Sequence, residues 1–166
     1  SMTITMARTS RTFAWVLVAI LGHSPVMAQA DANSTKIEAS LTWQALPDLP
    51  DPLGVAGPFV GVHNDALIVA GGATFRRPHW ENEKTWQADV WVMTRAADGG
   101  FRWHTGMSLD RPVAYGAVAS TTQGVVCLGG DNGKQVTDRC FAITWDPARQ
   151  TIEQTPLPRL PEPCAY

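Results

Sequence analysis

The sequence predicts an all-β fold assembled from repeated units, and three observations predict it. Gly71-Gly72 closes the apolar run Ala66-Leu67-Ile68-Val69-Ala70, and Gly129-Gly130 closes Gly124-Val125-Val126-Cys127-Leu128, an offset of 58 residues. Leu49-Pro50-Asp51-Pro52 is echoed by Leu109-Asp110-Arg111-Pro112 and again by Leu160-Pro161-Glu162-Pro163, at offsets of 60 and 51 residues. Between these markers the chain reads as short β-branched and aromatic runs punctuated by Gly, Pro, Asn and Asp, and no helical period persists after residue 30.

A period of about 50 residues, carrying a strand that ends in Gly-Gly, then an Asp-led strand, then a Trp-containing strand, is the pattern of a kelch-type β-propeller blade. The Asp-led strands are expected at Asp89-Val90-Trp91-Val92-Met93 and at Asp138-Arg139-Cys140-Phe141-Ala142-Ile143, with Trp103 and Trp43 marking outer, fourth strands. Paired glycines have a physical role at a strand end: without Cβ atoms the chain bends sharply and a neighbouring blade comes close. The phasing places an outer strand at 41–46, blades at 53–107 and 113–156, and the start of a third blade at 163–166. Two blades would leave their flanks in water, and propellers have at least four, so 41–166 reads as a partial propeller.

The first thirty residues are expected to be a signal peptide. Arg8 and Arg11 precede an apolar run from Phe13 to Gly22, and Ala28 and Ala30 form a small-x-small end. Residues 31–40 read as a linker. No later apolar stretch approaches the roughly 20 residues a membrane helix needs, so the chain from about Asp31 is expected to be exported, to a periplasm or outside the cell, and free of the membrane. Removing Arg8 and Arg11 from the 13 basic residues leaves 11 against 15 acidic ones. That balance offers no basic stripe for a phosphate backbone, and nucleic acid is not an expected partner.

The residues 54–73, from Gly54-Val55-Ala56-Gly57 through Asn64-Asp65-Ala66-Leu67-Ile68-Val69-Ala70-Gly71-Gly72, resemble a late blade of the bacterial sialic acid mutarotases. Ala114-Tyr115-Gly116 and the stretch from Gly129-Gly130 to Val136-Thr137-Asp138 resemble the same family. Late blades that directly follow the leader match its cyclically permuted branch. The resemblance implies a six-bladed propeller that interconverts the α and β anomers of N-acetylneuraminate and needs no cofactor. It implies a small acidic sugar as partner, with an Arg holding the carboxylate in a bidentate pair. The family's catalytic Glu and Arg, in an Asn-Gly-Glu segment, have no counterpart in this sequence. The chain alone is therefore expected to be an inactive fragment with no catalytic residue of its own.

Loop parity gathers the binding candidates. In an up-and-down blade, the loop between strands two and three emerges on the same face as the link to the next blade, which groups 73–87, 131–136 and the turns of Asp51, Arg111 and Glu162. The longest of these carries Arg76, Arg77, His79, Trp80, Glu81, Asn82, Lys84 and Trp86. Arg76, Arg77, His79, Trp80, Glu81 and Arg111 are the expected substrate-binding residues, guanidinium for carboxylate and indole for a pyranose face. Arg111 resembles the family's Arg just before a Tyr-Gly, with Pro112 and Val113 intervening. The alternative is a solvated loop on a non-catalytic kelch propeller that binds glycan or protein.

His79 and Glu81 lack a third ligand at a supporting spacing, so no metal is expected. His63 beside Asn64-Asp65 reads as a hairpin residue, His104 as exposed on an outer strand, and Trp91 as packing between blades. If Gly130 and Thr137 pair, the same register sets Cys127 opposite Cys140, which permits a strained disulfide. The alternative is three free thiols acting as small buried apolar groups.

Overall fold

The computed structural model describes residues 42–166. The expected leader 1–30, the linker 31–40 and residue 41 lie outside the described residues. Two four-stranded antiparallel sheets dominate. The first contains β1 (Phe59–His63), β2 (Ala66–Ala70), β5 (Asp89–Arg95) and β6 (Phe101–Ser108), and the second contains β7 (Ala117–Thr121), β8 (Gly124–Leu128), β9 (Cys140–Asp146) and β10 (Thr151–Leu157). Within each sheet the spatial order is the chain order, the up-and-down arrangement of a propeller blade. A small hairpin of β3 (Ala73–Phe75) and β4 (Lys84–Trp86) stands between β2 and β5.

Sequence explains the elements locally. Asn64 and Asp65 take left-handed φ of 49° and 57°, and the two-residue turn sets His63 against Ala66, as a hairpin with the natural strand twist requires. β1 alternates buried and exposed from Phe59 to His63. Its buried side, with Ile68, Val90 and Val92, faces Val125, Cys127, Phe141, Ile143 and Trp145 of the second sheet, and these residues form one core between the sheets. The Phe59 and Phe141 rings meet edge-on at 5.6 Å. At Gly61 the sheets come so close that an added Cβ would lie 2.6 Å from Val125. Each large side chain sealed here contributes about 1.5–3 kcal/mol.

The glycine pairs shape the joints. Gly71 and Gly72 have φ of 67° and 106°, and Gly129 and Gly130 have 66° and 104°. The backbone bonds made there repeat as well. Gly72 N–H donates to Val113 O at 2.8 Å and Val113 N–H to Gln87 O at 3.2 Å; Gly130 N–H donates to Cys164 O at 2.7 Å and Cys164 N–H to Thr137 O at 3.3 Å. Residues 163–166 thus lie beside the second sheet as 112–115 lie beside the first.

Residues 42–46 pair with no described strand, and Trp43 is 90% exposed. Two expectations are corrected. The second Asp-led strand begins at Cys140 rather than Asp138. The cysteine register also differs. Asp131 bridges Val136, consistent with Gly130 opposite Thr137, but an extra residue enters over 137–139, and in the strands Cys127 pairs with Phe141 while Cys140 pairs with Leu128. A slip of one residue turns side chains to opposite faces, so Cys127 and Cys140 do not meet. All three thiols are free, Cys127 and Cys140 buried and Cys164 exposed, and burial pushes the Cys127 thiol far up.

Gly71→Ala is expected to destabilise the chain by more than the ~1–2 kcal/mol that a left-handed φ alone costs a side chain, because the new Cβ would run into the Val113 carbonyl. Urea denaturation measures this, and a midpoint equal to the parent's would show that the joint yields.

Candidate functional site

The hairpin β3–β4 carries most of the expected binding residues. It pairs Ala73 with Trp86 and Phe75 with Lys84, and a 3₁₀ turn over His79–Glu81 forms its tip. Asn82 closes the tip by donating to Pro78 O at 2.9 Å. Arg76, Arg77, His79, Trp80 and Glu81 all point into solvent, Trp80 at 83% exposure. The His79 ring rests edge-on against Phe75 at 6.0 Å. Among the described residues Arg76 and Arg77 make no ion pair, so the tip holds its charges in open water, apart from the base of the hairpin.

The base is where side chains converge. Lys84 is half-buried, with its ammonium 4.1 Å from the Tyr115 ring centre and 4.9 Å from that of Trp86. Gly133 of the 131–136 loop lies flat on Trp86, where an added Cβ would be 2.6 Å from the indole. Tyr115 adopts a left-handed φ of 60°, its N–H donates to Gly57 O at 2.8 Å, and its own carbonyl accepts from Tyr166 N–H at 3.1 Å. The Tyr115 and Tyr166 rings meet edge-on at 6.1 Å. At the foot of the loops, 73–87, 131–136 and Tyr115 therefore share one surface. Trp86 Nε1 and Gln87 Oε1 are buried there without partners among the described residues, a state that costs about 1–3 kcal/mol per group.

Chemically the cluster offers an ammonium held against two aromatic faces, with no hydrogen-bond acceptor or carboxylate spent on it among the described residues. Asp131 is committed elsewhere, since its carboxylate accepts from the Gly133 N–H in a tight turn. Among the described residues no group of three metal-ligating side chains exists.

Arg111 sits apart from the hairpin tip. It lines a cleft of about 40 Å³ with Asn132, Gln135, Arg139 and Phe141, and its side chain is 69% exposed, 3.7 Å from Asp110. Asp110 is tied down more firmly, accepting from Arg139 at 2.7 Å and from Gln154 at 3.0 Å. Burial raises its carboxyl's affinity for a proton. The bonds from Arg139 and Gln154 and the charges of Arg139 and Arg111 outweigh this and hold it below its ordinary value of 3.8.

Lys84 and Trp86 belong to the 73–87 loop but not to the expected binding set, and Tyr115 is expected only as part of the resembling stretch Ala114-Tyr115-Gly116. One signal distinguishes Tyr115: Pro112-Val113-Ala114-Tyr115 recurs as Pro163-Cys164-Ala165-Tyr166. His63 closes β1 at the Asn64-Asp65 hairpin as expected, whereas His104 is not exposed as expected. His63 is buried and accepts from the Trp145 N–H at 3.0 Å, while half-buried His104 bonds Thr94 at 2.9 Å and rests on the Trp145 ring at 5.1 Å. Trp91 is buried, outside the core that the two sheets share.

No family model matches the chain. Curated relatives do. An N-acetylneuraminate epimerase of Vibrio cholerae is 29% identical over 140 residues, covering 74% of this chain and 35% of the relative. One of Brucella suis is 30% identical over 152 residues, covering 80% of this chain and 38% of its own, and one of Escherichia coli K12 is 34% identical over 116 residues, covering 64% and 31%. A solved structure described as "Structure of YjhT" matches with a TM-score of 0.58 at 26% identity, covering 69% of this chain and 34% of that one. The chain spans about a third of the length of the curated relatives it matches. It is homologous to these epimerases over that part.

Asp110→Asn is expected to lower stability at neutral pH by less than ~1 kcal/mol, because the pair is half-exposed and screened. A carboxyl depressed in the folded state stabilises above its unfolded value and loses that contribution as pH falls through the folded one. The difference between parent and variant should therefore vanish on acidification below 3.8. Urea midpoints from pH 7 downward measure it, and a constant difference would assign the effect to packing.

Proposed function

We propose that this chain supplies two blades of an exported, six-bladed sialic acid mutarotase, and that its loop face binds the acidic sugar. The similarity to N-acetylneuraminate epimerases over 74–80% of the chain carries this reading. The repeated joint geometry supports a further blade after residues 163–166, and the unpaired segment 42–46 fits the outer strand of a blade completed by another part of the longer protein.

Mutarotation breaks the bond between the ring oxygen and the anomeric carbon, forms a ketone, and closes the ring again on its other face. A base takes the anomeric hydroxyl proton while an acid delivers one to the ring oxygen, and both protons return on closure. Atoms balance without a redox step or a cofactor. In this reading the Lys84 ammonium faces the sugar carboxylate, Tyr115 and Trp86 offer apolar faces to the ring, and Arg76, Arg77 and Arg111 add positive potential from the rim. The acid and base belong to other blades, since Asp131 is bound into its turn.

The experiment is a titration of the chain with N-acetylneuraminate, followed by amide NMR. Saturable shifts at Lys84, Tyr115 and Gly133 are expected. Lys84→Met should weaken binding about tenfold or more, the value of a charge-assisted bond, and the methyl ester of the sugar should bind the parent as weakly as the acid binds the variant. Exchange spectroscopy should show no acceleration of anomer interconversion by this chain alone. No saturable shift would overturn the binding role, and acceleration would place the acid and base within these residues.

A further inference from the structure

On the side of the sheets away from the hairpin β3–β4, one residue of the second sheet is held by three side chains of the first. Trp145 is 2% exposed. β8 pairs with β9 only as far as Ile143, so on that side the peptide groups of Trp145 lack a strand partner. The β1–β2 turn supplies one: Trp145 N–H donates to His63 Nδ1 at 3.0 Å, and Asn64 Nδ2 donates to Trp145 O at 2.8 Å. The Trp145 ring completes the contact against His104. One repeat on, the positions of His63 and Asn64 are occupied by Thr121 and Thr122, so this latch belongs to this joint and is not a feature of the repeat.

The two histidines differ in what they can tolerate. An imidazole nitrogen that accepts a hydrogen bond must be unprotonated. The Trp145 N–H is fixed in the backbone and cannot turn away, so a proton on His63 Nδ1 would oppose donor to donor in a site where His63 is only 8% exposed. His104 instead bonds the Thr94 hydroxyl, which rotates and accepts from a protonated ring as readily as it donates to a neutral one. The charged groups around His63 do not compensate. Asp65 and Glu153 are exposed, Asp146 is paired with Arg149 at 3.7 Å, and Arg102 lies beyond Trp145 with His104.

We infer that His63 makes the joint between the two sheets acid-sensitive: the neutral ring holds Trp145, and protonation releases it. Asn is the test substitution, because its Oδ1 stands where the imidazole Nδ1 stands and accepts at every pH. Urea unfolding of the full chain is compared at about pH 7.5 and about pH 5.5, either side of the ordinary imidazole range. The unfolding constant of the parent should rise on the order of tenfold at the lower pH, as expected for a buried donor left unpaired. His63→Asn should remove most of that rise, and His104→Asn should leave it in place. A parent with no rise, or a His63→Asn chain that rises as much as the parent, overturns the inference. Should His63→Asn not fold, the parent's Trp145 amide resonance decides: moving with the His63 ring protons as pH falls supports the latch, and standing still overturns it.

Discussion

Everything in this fold depends on two strand ends being able to turn out of the way of the incoming chain. Gly71 and Gly129 share a left-handed φ near 66°, and each presents its bare Cα to a carbonyl of the segment that enters the next unit, Val113 in one case and Cys164 in the other. Any side chain there would collide with backbone, which cannot move aside like a flexible side chain. The glycine that follows donates its N–H to the same carbonyl. Close approach thus becomes a hydrogen bond, and a repeat in sequence becomes a repeat in space.

With the joint fixed, the sheets meet along one face and the core forms there. Phe59, Ile68 and Val92 on one side and Val125, Phe141 and Ile143 on the other are sealed, while the second sheet turns small and polar residues such as Ala119, Thr121, Ala142 and Thr144 to its far side. The asymmetry has a physical reading. Apolar area is concentrated where a partner sheet exists, and the polar contacts of the joint lie around that core: Val62 N–H to Ser120 at 2.9 Å, Asp110 to Arg139 and Gln154, and His63 with Asn64 on Trp145.

The same joint builds the loop face. Tyr115 takes its left-handed backbone because it follows the carbonyl that caps the glycine pair, and that conformation aims its ring at Lys84. A lysine ammonium over an aromatic face is attracted by the ring quadrupole. Among the described residues no carboxylate pairs with it, and it sits at the foot of the loops, unlike the arginines of the hairpin tip. Those lie in water, where attraction to a carboxylate is weak and screened by salt.

The sequence by itself determined the all-β class, the two glycine-closed strands and the four-strand rhythm of each unit, because each rests on local chemistry or on a period visible in one dimension. It also carried the resemblance to an epimerase family through short runs such as 54–73. Only the tertiary structure decided which loop residues meet. Arg76 and Trp80 have the richer chemistry in a list of residues, but the short hairpin lifts them away from the surface that Lys84, Trp86, Tyr115 and Gly133 share. The register of the cysteines turned on one extra residue over 137–139, which no periodicity announces, and the role of His63 on a peptide group 82 residues away. Periodic patterns and turn residues act over a few positions and can be read in order, whereas a contact between units depends on how far each strand end bends, and that is settled only when the sheets pack.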